Sequence, residues 1–359
     1  MTSKTPELGF YSLAGHTKTP ADLITEIADA EKLGLGSVWL SERFDVKEIG
    51  ALCGAAAVSS KDLFICTGAT NHNTRHPLVT AGLATTVSRL SGGRFALGIG
   101  RGFDFRFGMW GLPTINFAQM EDAVGIWRKL WAGERVMGHD GPAGKFPYLH
   151  MAEWLDEKIP LVMCGFGPKT LEFAGKHFDA VLLTTFLSDE TVSRCVENVR
   201  RGEEAAGKEP GSVKVWTVLA TACNLSEEQR LHYIVARMAT YMQAPIYSEM
   251  LVKVNGWDTK VLEDFRKHPI ITKLLGGVDS LCGTEELAEL AKAIPEEWLP
   301  AAVGTPEQCA ERFQDQFKAG ADGVVLHAST PKQMAPAIEA YGKVRVHNDF
   351  KGRTNSPAG

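Results

Sequence analysis

A chain of 359 residues with 44% hydrophobic and 23% charged side chains has the composition of a globular protein, long enough for a large core. A net charge of −5, with no block of like charges and no basic stripe interleaved with aromatics, argues against a nucleic-acid binder, and no apolar run approaches the ~18 residues of a membrane span. The seven scattered cysteines include no C-x-x-C, which sets aside disulfide scaffolds and zinc ribbons and reads as reduced thiols. The opening Met1-Thr2-Ser3-Lys4-Thr5-Pro6 lacks a signal peptide's apolar core, so the expected compartment is the cytoplasm.

In chain order, a strand-like run at Leu8–Leu13 precedes a helix over Ala21–Leu33 that opens on Thr19-Pro20. Strands follow at Ser37–Ser41 and Phe64–Thr70, a helix at Leu78–Leu90, a strand at Phe95–Ile99 and a helix at Phe117–Trp131. The strands Leu161–Cys164 and Ala180–Thr184 alternate with helical patterns at Leu171–Lys176 and Thr191–Ala206. Val213–Ala220 and Val324–His327 complete eight runs. Thr305-Pro306-Glu307-Gln308 and Thr330-Pro331-Lys332-Gln333 each read as a Thr N-cap, a Pro in the first turn and a Gln reaching back. Nearly continuous apolar strands separated by helices predict an α/β fold with a covered parallel sheet, a (β/α)8 TIM barrel over residues 1–350. A doubly wound sheet is the runner-up. About 250 residues suffice for such a barrel, so the surplus is assigned to insertions at about 133–158 and 226–304. The second, helical one is expected to hang over the C-terminal mouth, and residues 351–359 to form a flexible tail.

Several strand ends carry candidate chemistry. Trp39-Leu40-Ser41-Glu42-Arg43-Phe44 puts a carboxylate and a guanidinium where barrels keep catalytic groups, though a rim ion pair fits equally well. Thr67-Gly68-Ala69-Thr70-Asn71-His72 ends the third strand in small and polar residues that give a flat ligand access to the backbone. His72 and His76 stand four apart, but Pro77 and the strand-to-loop context argue against a metal pair, and no metal site is expected. Gly98-Ile99-Gly100-Arg101-Gly102 fails the G-x-G-x-x-G pattern at Phe103 and reads as backbone that must approach a ligand or another strand. Gly165-Phe166-Gly167-Pro168-Lys169-Thr170 leads from a strand into a helix, whose free N–H groups form an anion site suited to a cofactor phosphate; a plain tight turn is the alternative. No G-x-S-x-G or local Cys/His signature supports nucleophilic hydrolysis.

Taken together these segments resemble the bacterial-luciferase-like superfamily, in particular its oxidoreductases that use the deazaflavin coenzyme F420. The resemblance rests on Ser37–Phe44, Gly68–Asn71, Arg75–Ala81, Gly165–Thr170, Gly320–His327 and above all Leu90-Ser91-Gly92-Gly93-Arg94-Phe95-Ala96-Leu97-Gly98-Ile99-Gly100. It is dense over 8–186, returns at 304–346 and is loose in 226–303. It implies hydride transfer between F420 and a small-molecule substrate, in a protein that assembles as a homodimer. It also implies a non-proline cis peptide at Gly68–Ala69 beneath the cofactor's central ring. Cofactor contacts are implied at Gly68, Ala69, Thr70, Asn71, Gly100 and Arg101, with the phosphate tail over Gly165, Phe166, Gly167, Pro168, Lys169 and Thr170. Relatives often carry Asp and His where this chain has Glu42 and Arg43, and an arginine, always protonated, cannot replace a histidine base. Sugar-phosphate oxidation is thereby disfavoured against reduction of an enone-like or imine-like acceptor. Expected roles are Glu42 orienting Arg43, Arg43 holding the acceptor's polar atom, and His72, the one histidine noted at a strand mouth, supplying the proton. Two rivals stand beside this reading. One is an FMN-dependent monooxygenase that uses O2 and a partner reductase; the other is a non-catalytic protein that binds flavin or deazaflavin.

Overall fold

The computed structural model describes residues 4–15, 17, 19–44, 46–102 and 104–359, the side chains of 105 and 106 aside. The tripeptide Met1-Thr2-Ser3 and Phe103, on which two sequence readings rest, lie outside the described residues. The strands are β1 Thr5–Tyr11, β2 Leu35–Leu40, β3 Phe64–Thr67, β4 Phe95–Gly100, β5 Val136–Gly141, β6 Gly144–Leu149, β7 Leu161–Cys164, β8 Ala180–Leu182, β9 Lys214–Cys223, β10 Ala302–Gly304 and β11 Gly323–His327. All but β5, β6 and β10 pair in parallel in chain order, and β9 meets both β8 and β11, so eight strands close into the expected (β/α)8 barrel.

Alternation along each strand builds the barrel's two faces. Trp39, Cys66, Ala96, Val162, Leu182, Trp216 and Val325 fill the interior. Their neighbours Val38, Ile65, Leu97, Val181 and Leu326 join the larger core under the outer helices. The inner layer is tight: Trp39 and Trp216 lie 5.6 Å apart, and a Cβ at Gly323 would fall 2.4 Å from the Trp216 indole. The outer shell comprises α1 Asp22–Leu33, α2 Ile49–Ser59, α3 Pro77–Ser91, α4 Asp104–Met109, α5 Phe117–Trp131, α6 Pro168–His177 and α7 Asp189–Ala205.

Both insertions have defined forms. The first is an antiparallel hairpin, β5–β6, whose His139 ring and Ala143 N–H meet the Asp122 carboxylate of α5 at 2.9 and 2.8 Å. The second runs through α8 Glu227–Arg230, a π-helical turn at Leu231–Val235, then α9 Ala236–Gln243, α10 Tyr247–Asn255, α11 Thr259–Arg266, α12 Pro269–Lys273, α13 Val278–Leu281 and α14 Thr284–Ala291. It returns as β10, which extends the upper half of β9. The shell closes with α15 Pro306–Lys318 and α16 Pro331–Val344, each opened by the expected Thr/Gln capping box.

The tail corrects one expectation. Residues 351–359 cross the amino-terminal end of the barrel rather than trailing free. The Trp216 indole N–H donates to the Pro357 carbonyl at 2.9 Å, the Arg353 guanidinium lies 5.2 Å above the same indole, and Asn355 Nδ2 donates to the Asp62 carbonyl at 2.8 Å. A Gly/Pro/Ser-rich segment has no periodicity to announce such docking, because its contacts are made by backbone carbonyls and two isolated side chains.

Candidate functional site at the carboxyl-end mouth

The inward phase of each strand decides what faces the mouth. On the β3–β4 side the residues nearly lack side chains. The Gly68–Ala69 peptide is cis, as the resemblance implied. It is held on both sides: Tyr11 Oη donates to the Gly68 carbonyl at 2.9 Å, the Glu42 N–H to the Ala69 carbonyl at 3.1 Å, and the Gly68 N–H to the Leu40 carbonyl at 2.6 Å. Asn71 Nδ2 donates to the Gly100 carbonyl at 2.7 Å, tying the ends of β3 and β4 together. At Gly98 a Cβ would lie 1.9 Å from the Thr67 carbonyl, so that glycine is required by strand approach alone. The result is a smooth shelf of Gly68, Ala69 and Gly100. Cys164 beside it is half-buried, and desolvation pushes its thiol up to about 12, which removes it as a nucleophile.

Glu42 does not orient Arg43. Its side chain, 2% exposed, is gripped by Arg75, which bonds Oε2 at 3.1 Å and pairs with Oε1, while Thr70 Oγ1 donates to Oε2 at 2.5 Å. Arg75 also reaches Glu48 at 2.8 Å. The Glu42 carboxylate is thus neutralised within the wall that supports the shelf. Sequence proximity favoured Arg43, but Arg75 comes from the turn that β3 brings beside β2. Burial pushes the Tyr11 phenol up and the His327 imidazole down, and the Arg43 charge acts on both, opposing the first shift and adding to the second.

His72 also departs from its expected role. It follows β3 in a short 3-10 turn, and burial lowers its imidazole to about 4, so the ring is neutral near pH 7 and lacks the acidic imidazolium proton that the role requires. Arg101 stays on the rim, where Nε donates to the Ile115 carbonyl at 3.1 Å and an outer nitrogen lies 3.8 Å from Asp104.

The Gly165–Thr170 turn leads into α6 with Gly167 at the N-cap and Pro168 in the first turn. No side chain caps this end, whereas Ser188 caps α7 and Thr305 caps α15. The early N–H groups of α6 are therefore left to an external acceptor. Lys169 is exposed beside them, and Phe166 meets Tyr247 edge-on at 5.2 Å.

Sequence reasoning missed the opposite side of the mouth. Tyr11 and His327 end β1 and β11 in inward phase, their rings 4.6 Å apart. From above, α9 presents Arg237 and Tyr241 one turn apart: Arg237 Nε donates to Tyr241 Oη at 3.2 Å, and Thr185 Oγ1 donates to the same oxygen at 3.1 Å. Burial opposes ionisation of Tyr241, but the Arg237 guanidinium and these hydrogen bonds outweigh it and hold the phenol below its usual range. Tyr247 of α10 pairs with Thr184 Oγ1. A histidine in inward phase after Val325 was the legible signal for His327; nothing local marks Arg237. No cluster of metal-ligand type occurs among the described residues.

An eight-stranded parallel barrel with polar groups gathered at the carboxyl ends of its strands defines the class of fold and the end that carries its site. The chain belongs to the luciferase-like monooxygenase family, whose profile matches residues 7–323. It is 25% identical over 331 residues to a 5,10-methylenetetrahydromethanopterin reductase of Methanolobus tindarius, covering 90% of this chain and 96% of that protein. The solved coenzyme F420-dependent tetrahydromethanopterin reductase of Methanopyrus kandleri superposes with a TM-score of 0.77 at 20% identity, over 98% of this chain and 99% of that one. A type II Baeyer–Villiger monooxygenase component of Pseudomonas putida, solved with FMN, gives 0.63 at 19% identity, over 95% of this chain and 97% of that one.

Proposed function

We propose that the protein is a coenzyme F420-dependent oxidoreductase that moves hydride between the deazaflavin and a small organic substrate. The observation that carries this reading is the adjacency of the nearly bare shelf, Gly68, Ala69 and Gly100, to the uncapped N-terminus of α6, which the pairing of Gly100 with Cys164 brings beside it. The shelf suits a flat tricyclic ring, and the helix end suits the phosphate of its tail. Sequence relatives named for F420 chemistry, such as the Methanolobus reductase, support the choice of cofactor.

Bound there, the deazaflavin supplies the hydride chemistry; the protein binds, orients and shields. Thr70 and Asn71 fix the shelf, Glu42 with Arg75 stiffens the wall behind it, and Arg43 brings positive charge to the face where an acceptor oxygen gains electrons. We also infer a homodimer formed through α2 and α3. The first and last turns of α2 carry no charge, Val58 is 70% exposed, and outward Gly54 and Gly82 leave open space where a second copy's helices approach closely. A small-molecule enzyme with all seven thiols free fits the cytoplasm.

The Pseudomonas structure holds FMN on this fold, so a monooxygenase is the reading to be tested against. Fluorescence titration of the purified protein with F420 and with FMN separates them. Tight binding of F420 with weak binding of FMN is expected, and the reverse order overturns the proposal. Turnover of an acceptor by the reduced deazaflavin then excludes a non-catalytic binding protein.

A further inference from the structure

His327 is 3% exposed, yet neither Nδ1 nor Nε2 has a hydrogen-bond partner among the described residues. A buried polar ring without partners is costly, and in an interior such a group is ordinarily satisfied. The ring's location identifies what is missing. Val325 faces the barrel interior, so His327, two residues on, faces inward at the mouth. Its neighbour Tyr11 points its own hydroxyl at the Gly68 carbonyl, which sets the imidazole one ring away from the shelf. The next residue, Ala328, has φ +83°, a left-handed conformation that a non-glycine residue adopts at a cost, so the chain holds this strand end under strain.

The surroundings also select the guest. The cations acting on His327 are Arg237, Arg43 and Lys47. Among nearby carboxylates, Glu42 is taken by Arg75, and Asp279 sits 4.0 Å from NH1 of Arg237. A neutral imidazole N–H and a guanidinium both donate, which serves a carbonyl oxygen with its lone pairs and offers nothing to an iminium nitrogen, which has none.

We propose that His327, with Arg237 reaching down from α9, is an oxygen-binding subsite, and that the substrate is a carbonyl compound, a ketone or enone, rather than an iminium ion. This rests on the F420 reading above. In the reducing direction the acceptor carbon takes the hydride pair from the reduced cofactor, and the C=O π electrons move onto oxygen. One proton from water completes the product. His327 and Arg237 hold the oxygen while it is charged and end the cycle unchanged.

The test uses the full-length protein loaded with F420 and labelled with 15N-histidine, with cyclohex-2-enone as the carbonyl probe and N-methyl-3,4-dihydroisoquinolinium as the cationic one. The His327 signal is assigned by its loss in His327→Asn, or in His327→Gln should the first variant not fold. Millimolar cyclohex-2-enone is expected to shift that signal and the iminium to leave it in place. His327→Asn and Arg237→Lys should each raise KM for cyclohex-2-enone about tenfold, with F420 affinity, read by deazaflavin fluorescence, unchanged within about twofold. A silent His327 in protein that binds F420, or a preference for the iminium, overturns the subsite alone. Failure to bind F420 overturns the functional reading and the subsite with it.

Discussion

At the scale of single residues, burial and charge reassign the histidines. His72 has its folded-state imidazole lowered to about 4 by desolvation, against about 6.5 when unfolded. The unfolded chain therefore binds the extra proton between these values, and stability that is full above pH 6.5 is lost as pH falls toward 4. His72→Gln should flatten this dependence: between pH 7 and pH 5 the wild type is expected to lose about 2 kcal/mol more than the variant in urea unfolding. Equal losses would mean that His72 is hydrated in solution. Arg43 makes a different prediction, since its proposed work is electrostatic. Arg43→Ala should slow hydride transfer by about a hundredfold or more at saturating cofactor, and Arg43→Lys should restore only part of the rate, because the planar fork is gone. A wild-type rate in stopped-flow with an altered melt would make Arg43 a rim ion-pair residue. What the sequence disclosed at this scale was local: Gly68–Asn71 and Gly165–Thr170 are contiguous, and glycine beside a strand end has few other uses. Tyr11, His327 and Arg237 come together only when the last strand closes on the first and the insertion folds back, so no short window contains them. The Glu42–Arg43 pairing failed for the same reason, because the better-placed guanidinium stands 33 residues away on the neighbouring strand's turn.

Elements were more legible than residues, and their outer faces carry predictions. Strand runs, the Thr/Gln capping boxes and both insertions follow from periodicity and turn chemistry, which act over a few residues. The hairpin β5–β6 was less evident, since a Gly-rich excursion with scattered aromatics reads as loop until its two edges pair. On α2, a Cβ at outward Gly54 would meet nothing within 4 Å in its own subunit, and a tryptophan built from it would block close helix approach. Gly54→Trp should therefore convert a dimer to a monomer in light scattering at micromolar concentration, with an unchanged melt of the monomer fold. A wild-type monomer would remove the interface. At α6 a Cβ on Gly167 would lie 3.7 Å from Met250 Sδ and from Thr170 Oγ1, ordinary contact distances, so Gly167→Val should fold. Its added methyl groups crowd the open N–H donors, and F420 affinity is expected to fall about tenfold or more. Unchanged fluorescence titration would reduce the turn to a structural role.

For the whole molecule, the barrel has two ends and each is covered by a segment that the repeat itself does not supply. The insertion covers the mouth with Arg237, Tyr241 and Tyr247, and the tail covers the floor. Below the inner tryptophan layer, Glu7 is fully buried, bound by Tyr341 Oη at 2.9 Å and by Arg345 through both oxygens, and the Arg353 guanidinium lies among these charges. Removing residues 353–359 would leave the Trp216 indole N–H without its acceptor and strip the cation from its face. The two losses together amount to about 2–4 kcal/mol. A chain ending at Gly352 should accordingly melt well below the full chain. In a Trp216→Phe background, where no N–H awaits Pro357, the same truncation should cost about 1 kcal/mol less, a coupling that a double-mutant cycle measures directly. The floor and the shelf lie at opposite ends of a packed interior, so F420 affinity of the folded fraction should stay within about twofold. Identical melts for the full and shortened chains would return residues 353–359 to the role of a free appendage. A large loss of cofactor affinity without loss of stability would instead tie the tail to the site through the tilted Trp216–Trp39 contact.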